Sequence, residues 1–369
     1  FDDLNKKEIN KIRDAIKLSE SSLDFLELDD LELLRTLGMI QQSRDNELKT
    51  TVAALLLAGD KTEIKKHLPY SEIVFVSYDK NEEEDFEIRY EGGLLSMVME
   101  FQELYNKKFN PIHHIDTGIV EIKIPKIPSP VLREALLNAV THRDYNIQSS
   151  IFFRNYYDRI ELSNPGDFIS DITPSNILHH DPAWRNKLIS EIFQRMGLVR
   201  RSGYGVKRMY RYLMHAGKEP PVFREGGSTI KLVISDMIDD NIAKFLNDLT
   251  IRGETLPLDE MIIIKHLQSS GKIKTEEVSK STQRSNKEAK IVLNRMCNKG
   301  KLERHGEGRG MYYRFSQRLY DALGDSIGYF RNGDIEKRRQ KQSILQFLRD
   351  RGQIRNAQVQ DLLKTDGDH

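Results

Sequence analysis

Residues Leu132 to Tyr145 read LREALLNAVTHRDY, and the rest of the chain is best understood outward from them. Pro125, Pro128 and Pro130 lie just upstream and break the preceding segment. Pro130 falls in the first turn of the predicted helix, where its missing N–H leaves nothing unsatisfied, and Ser129 is placed to cap it. The pattern predicts a helix from about Val131 to His142. Glu134 and Asn138 stand four residues apart on it, so both side chains share one face about one turn apart. That pair has two readings. In one, the Glu134 carboxylate orients or deprotonates a water for attack on a terminal phosphate, and the Asn138 amide oxygen ligates a Mg2+ that bridges the phosphates. In the other, it is a solvated pair on an amphipathic helix, since short motifs recur by chance.

Three downstream segments bear on the choice. SNPG, Ser163 to Gly166, follows a predicted strand, where a glycine turn lets backbone approach a base. GYG, Gly203 to Gly205, immediately precedes a predicted helix, whose N-terminal amides suit phosphates. GGST, Gly226 to Thr229, opens the last strand and offers a hydroxyl. Each is an ordinary turn alone; their order after a helical ExxxN carries the information. Around them the sequence predicts strands at Ile112 to Asp116, Ile119 to Ile124, Ser150 to Arg154, Asp158 to Ser163, Pro221 to Arg224 and Thr229 to Ile234. Helices are expected at Asn186 to Met196 and Val206 to His215.

In LREALLNAVTHRDY, DRIELSNPGDF, RNKLISEIFQRMGLVRRSGYGVKRM and GGSTIKLVI the chain resembles the GHKL or Bergerat-fold ATPases. The likeness is to the divergent RecG-like C-terminal type found in AlbA/Schlafen-type transcriptional regulators. The resemblance implies ATP and Mg2+ as cofactors and assigns roles by position. Glu134 would be the catalytic carboxylate, Asn138 the Mg2+ ligand, Asn164 and Gly166 the adenine-side turn, Gly203 and Gly205 the phosphate loop, and Thr229 the late threonine near adenine. Asn164 stands where the family has an aspartate, so the base contact lacks a charge. Relatives carry an AlbA-like DNA-binding domain at the N-terminus; here it would lie upstream, with Leu4 to Ile16 as its last helix. The segment from Asp167 to Ser202 occupies the position of the ATP lid, with Trp184 inside it and Arg185 and Arg201 as candidate phosphate contacts or plain surface arginines.

The expected fold is α+β: a GHKL-type α/β sandwich at residues 111–237, preceded by a small α/β unit at 47–110 and followed by a winged helix-turn-helix at 238–320. Residues 1–46 read as a helical remnant and linker, and 321–369 as a linker with a partial second helical module around Lys341 to Leu363. In the winged-helix segment, helices at Pro257 to Gln268, Lys274 to Lys280 and Ser285 to Asn298 precede a wing at Leu302 to Arg304 and Met311 to Phe315. The net charge of +1 hides a polarity: residues 241–369 hold 25 Lys and Arg against 17 Asp and Glu, whereas residues 1–240 hold 32 against 39. Within residues 271–320 the count is 13 against 5. Lys287, Lys290, Arg295 and Arg309 are the candidate DNA contacts, and Gln283, Ser285 and Asn286 could read base edges. Winged helices also dock proteins, the alternative for this module.

A chain of 369 residues with 38% hydrophobic and 31% charged residues fits two or three folded domains. No apolar run is long enough to span a membrane, so a cytoplasmic protein is expected. One cysteine, Cys297, excludes an internal disulfide. His142, Arg143 and Asp144 spell the HRD of a kinase catalytic loop without its other parts, and the histidine pairs at 113/114 and 179/180 lack ligand spacing. Both read as structural. The leading expectation is an ATP-binding, DNA-binding transcriptional regulator, with homo-oligomers allowed and weak Mg2+-dependent ATPase activity possible. The alternatives are a nucleic-acid-directed ATPase, for example in phage defence, and a protein-interaction scaffold with a degenerate nucleotide pocket.

Overall fold

The computed structural model describes residues 3–19, 27–43, 45, 47–118, 120–199, 203–324, 341–342, 344–349, 351–354 and 358–359. The chain divides into two compact units, Phe1–Leu213 with Lys218–Ile238, and Met214–Gly217 with Asp239–His369.

The first unit is built on a six-stranded sheet. Its strands are β3 (Glu72–Tyr78), β4 (Glu84–Glu91), β7 (Ile151–Asn155), β8 (Arg159–Pro165), β9 (Val222–Glu225) and β10 (Thr229–Ser235), in the order β4-β3-β7-β8-β10-β9. All neighbours are antiparallel except β3 and β7, which run parallel with Ile73 opposite Ile151. A parallel pair needs a long crossover, here supplied by α5 (Leu94–Lys108), the hairpin β5 (Ile112–Asp116) and β6 (Glu121–Pro125), and α6 (Ser129–His142). Alternate strand residues face the helices. Ile73 and Phe75, Ile151 and Phe153, Ile160 and Leu162, and Leu232 and Ile234 meet Phe101 and Tyr105 of α5 and Leu132, Leu136 and Val140 of α6 in one core. Removing such side chains from water stabilises by about 1.5–3 kcal/mol each. Edge-to-face rings add direction, as where Phe75 meets Phe101 at 5.5 Å and 90°.

Three expectations change here. Residues 47–110 are no separate unit, because β3 and β4 belong to the same sheet as β7 to β10. α1 (Lys6–Ser19) is no loose remnant, since Ile9, Ile12 and Ile16 are buried in the common core. α2 (Asp30–Thr36), β1 (Ile40–Gln42) and β2 (Leu48–Thr50) follow it. Thr51 caps α3 (Val52–Ala58) by accepting from the Ala54 amide, and Leu48–Thr50 just before it pairs with β1 as a strand. α4 (Lys61–His67) then leads into β3. At α6 the cap position falls on Pro128 and Ser129 is already helical, with no side-chain cap bond.

The second unit comprises α9 (Asp240–Ile251), α10 (Leu258–Ser270), α11 (Thr275–Thr282), α12 (Asn286–Asn298), the hairpin β11 (Leu302–His305) and β12 (Tyr312–Phe315), and α13 (Gln317–Ala322). Three helices followed by a two-stranded hairpin is the expected order, and Ile273 adds a bridge to Tyr313 of β12. Ile263, Leu267, Val278, Ala289, Leu293 and Met296 are buried. Ser285 and Glu288 form a reciprocal capping box that starts α12. The expected second module at Lys341 to Leu363 falls in part outside the described residues. Among the described residues, no helix is long and apolar enough to cross a membrane.

Candidate functional site

α6 forms one wall of a cavity in the first unit, which encloses about 1290 Å³ including its open mouth. Four polar residues of α6 face it: Glu134, Asn138, Thr141 and His142. At about 1.5 Å rise per residue, they spread over roughly 10–12 Å of helix, enough to address both ends of an elongated ligand.

At the first end Glu134 is almost fully buried and accepts a hydrogen bond from Arg208 at 2.8 Å. Arg208 lies in α7's successor α8 (Gly205–His215), α7 itself being Lys187–Arg195. The α8 backbone at Gly205 comes so close that a Cβ there would overlap Glu134 Oε1. Glu134 thus serves as the anion at this helix start, a favourable place for negative charge. Gly203, at φ +62°, also borders the cavity, and a Cβ on it would run into Pro182. Asn138, one turn further along α6, lines the cavity with no hydrogen-bond partner among the described residues.

At the other end α6 runs up against β8. The Asp144 amide donates to the Pro165 carbonyl at 2.9 Å, and Thr141, His142 and Asn164 all line the cavity. Asn164 is 8% and Thr141 3% exposed, yet Asn164 Oδ1 and Thr141 Oγ1 have no hydrogen-bond partner among the described residues. Two orphaned polar atoms lining one cavity are unusual in a folded protein and suit a ligand. Burial and the nearby Arg185 guanidinium push His142 down to about 4, so its ring is neutral at physiological pH. Leu162, Ile230 and Leu232 add an apolar wall, and the partly exposed Trp184 also lines the cavity.

The cavity therefore brings together Glu134, Asn138, Asn164, Gly203 and Gly205 from the expected set. Gly166 and Thr229 do not line it. Thr229 pairs with Pro165 and Ile230 with Asn164, so strand alternation sends Ile230 toward the cavity and Thr229 to the opposite face. Gly166, at φ +119°, shapes the turn: its amide donates to the Ser228 carbonyl, and a Cβ would crowd Asp144. Arg185 is a brace, bonded to the His142 and Asp167 carbonyls and paired with Asp144. Arg143 is buried against the Tyr70 and Ser149 carbonyls, which makes the HRD triplet structural here. Arg201 lies outside the described residues. Arg208 and Thr141 were not expected; the only signal for either in the sequence is its helical spacing from Gly205 and Asn138.

Residues 148–234 match the family described as putative ATP-dependent DNA helicase recG C-terminal. That segment is a partial GHKL-like domain of the RecG C-terminal type. The match begins after α6, so the GHKL-like segment supplies Asn164, Gly203, Gly205 and Arg208, while Glu134, Asn138 and Thr141 come from the preceding helix. Residues 1–74 match a family described as a domain of unknown function (DUF8451). No curated protein matches. The crystal structure of the DIP2311 protein from Corynebacterium diphtheriae is similar with a TM-score of 0.68 and 22% identity, over 87% of this chain and 63% of that one. The likeness shows a shared fold, and this chain spans less than two thirds of that protein's length.

In the second unit, α12 buries Ala289, Val292, Leu293 and Met296 and exposes Asn286, Lys287, Lys290, Ile291 and Asn294. Lys287 and Lys290 have no acidic partner among the described residues. Arg295, expected beside them, instead pairs at 3.2 Å with Glu260, which is fully buried and also bonded to Lys301 at 2.6 Å. A buried carboxylate needs such partners, and that need takes Arg295 off the list of free cations. The Arg309 side chain lies outside the described residues. Among the described residues no group of three His, Cys, Asp or Glu is arranged to hold a metal.

Proposed function

We propose that the first unit binds ATP with Mg2+ in the cavity between α6, β8 and the start of α8. The observation that carries this is the pair of buried, partnerless atoms, Asn164 Oδ1 and Thr141 Oγ1, at the apolar end of a cavity whose other end holds Arg208 and the start of α8. The base belongs at the Asn164 end and the phosphates at the Arg208 end. Asn138 lies between them, where its amide oxygen would join phosphate oxygens and water around Mg2+, an ion that takes few protein ligands. Mg2+ would supply neutralisation of phosphate charge. Arg208 is the cation that lines the cavity at that end.

Glu134 bears on turnover. Its carboxylate is committed to Arg208 and the start of α8, so it can take a proton from water only after that pair separates. Binding is the function supported, and hydrolysis would be slow. Titration of the chain with ATP and Mg2+ by calorimetry, with Trp184 fluorescence as a second signal, tests the proposal. Saturable binding that weakens about tenfold or more in Asn138→Ala, with loss of its Mg2+ dependence, is expected. Absence of heat and of a Trp184 response in the wild type overturns it.

The basic second unit supports a DNA-binding role, with α10 to α12 and the β11–β12 hairpin read as a winged helix-turn-helix. The specific observation is that Lys287 and Lys290, on the exposed face of α12, have no acidic partner among the described residues. Together the two units suit a nucleotide-responsive transcriptional regulator.

A further inference from the structure

The polar groups at the closed end of the cavity share a property. Asn164 offers an amide oxygen, which only accepts, and an NH2, which only donates; Thr141 and neutral His142 can each do either. A protein normally fixes which atom faces a ligand by hydrogen-bonding the other, as a neighbouring carbonyl would pin an amide nitrogen. Here no group among the described residues bonds the Asn164 side chain, and Thr141 Oγ1 is equally unpartnered among them. His142 has no side-chain bond among the described residues. Its lowered proton affinity keeps one ring nitrogen a donor and the other an acceptor. Asp167 is acceptor-only, but it is exposed at the mouth, where water replaces it at little cost.

Discrimination by hydrogen bonding depends on a buried group that the wrong ligand leaves unpaired. A buried carboxylate fixed opposite the C6 substituent would reject a 6-oxo purine, because two acceptors would face each other there. An unpinned amide instead turns to meet either partner, its oxygen toward an amino group or its NH2 toward a carbonyl. The adjoining hydroxyl rotates in the same way, and the aliphatic wall of Leu162, Ile230 and Leu232 is indifferent to the exocyclic group.

We infer that the Asn164 end of the cavity accepts 6-amino and 6-oxo purines alike, so that GTP is a ligand of this protein beside ATP. This rests on the proposed nucleotide site and adds its substrate class. Calorimetric titration of the full chain with MgATP and MgGTP separates the two claims. Dissociation constants within about threefold of each other are expected, against the hundredfold or greater ratio that a polarity-fixed site produces. In Asn164→Asp, ATP binding persists while GTP binding weakens by more than about tenfold, since the carboxylate is acceptor-only. A wild-type preference above about thirtyfold for either purine overturns the inference while leaving the nucleotide site standing. Equal affinities that stay equal in Asn164→Asp overturn the role of Asn164. Binding of neither removes the nucleotide site itself. If Asn164→Asp does not fold, the wild-type comparison alone decides.

Discussion

At Gly205 the α8 backbone lies against the Glu134 carboxylate, and even a methyl group there overlaps Oε1. Gly205→Ala should therefore cost roughly 1–3 kcal/mol, the range for overpacking a filled site. Glu134→Ala in the same chain should recover most of that loss, because the overlapping oxygens are gone. Thermal denaturation of the two single variants and the double variant measures this coupling, and additive losses would refute the close approach. His142 gives a pH signature at the same scale. Its folded value of about 4 lies below the ordinary value of 6.5. Between those values the unfolded chain binds a proton that the folded chain does not, so stability falls as pH drops from about 6.5 to 4. The loss should reach about 1–3 kcal/mol, allowing for the partial exposure of the ring. In His142→Gln that part of the slope should vanish in denaturant titrations across the same window.

Elements decide what a single side chain can reach. Glu260 of α10 is fully buried and held by Arg295 of α12 and by Lys301 in the turn that follows it. Lys301→Ala should cost about 3 kcal/mol by chemical denaturation, the low end for stripping a buried charge of a partner, because Arg295 remains. Local spacing made α6 legible in the sequence, since ExxxN places Glu134 and Asn138 without help from the rest of the chain. The Glu134–Arg208 pair was not legible, because it joins residues 74 apart. Thr229 was misplaced because a strand's facing follows from register with its neighbour, which the residues GGST do not state. The same limit hid β4, whose EDFEIRYE carries charges on its outward positions and few of the β-branched residues that announce a strand. Arg295 looked like Lys287 and Lys290 in the sequence; only the buried Glu260 tells them apart.

Across the whole molecule the charge is divided, acidic over residues 1–240 and basic over 241–369. If α12 meets duplex DNA, affinity should fall steeply with salt. Each of Lys287→Ala and Lys290→Ala should lower the slope of log affinity against log salt by about one. Arg295→Ala should reduce stability more than it changes that slope. Fluorescence anisotropy of a labelled duplex at several salt concentrations distinguishes these cases, and identical slopes in all three variants would exclude α12 as the contact.

The parallel pairing of β3 with β7 has a kinetic side. Glu72 and Ser150, bonded where these strands meet, are 78 residues apart. Closing so large a loop precedes any reward from the contacts it brings, which makes such pairings slow to form. The cavity wall at Leu162 and Asn164 belongs to a sheet completed only by that step. Nucleotide added during refolding should then leave the folding rate almost unchanged, whereas nucleotide bound to the finished protein should slow its unfolding.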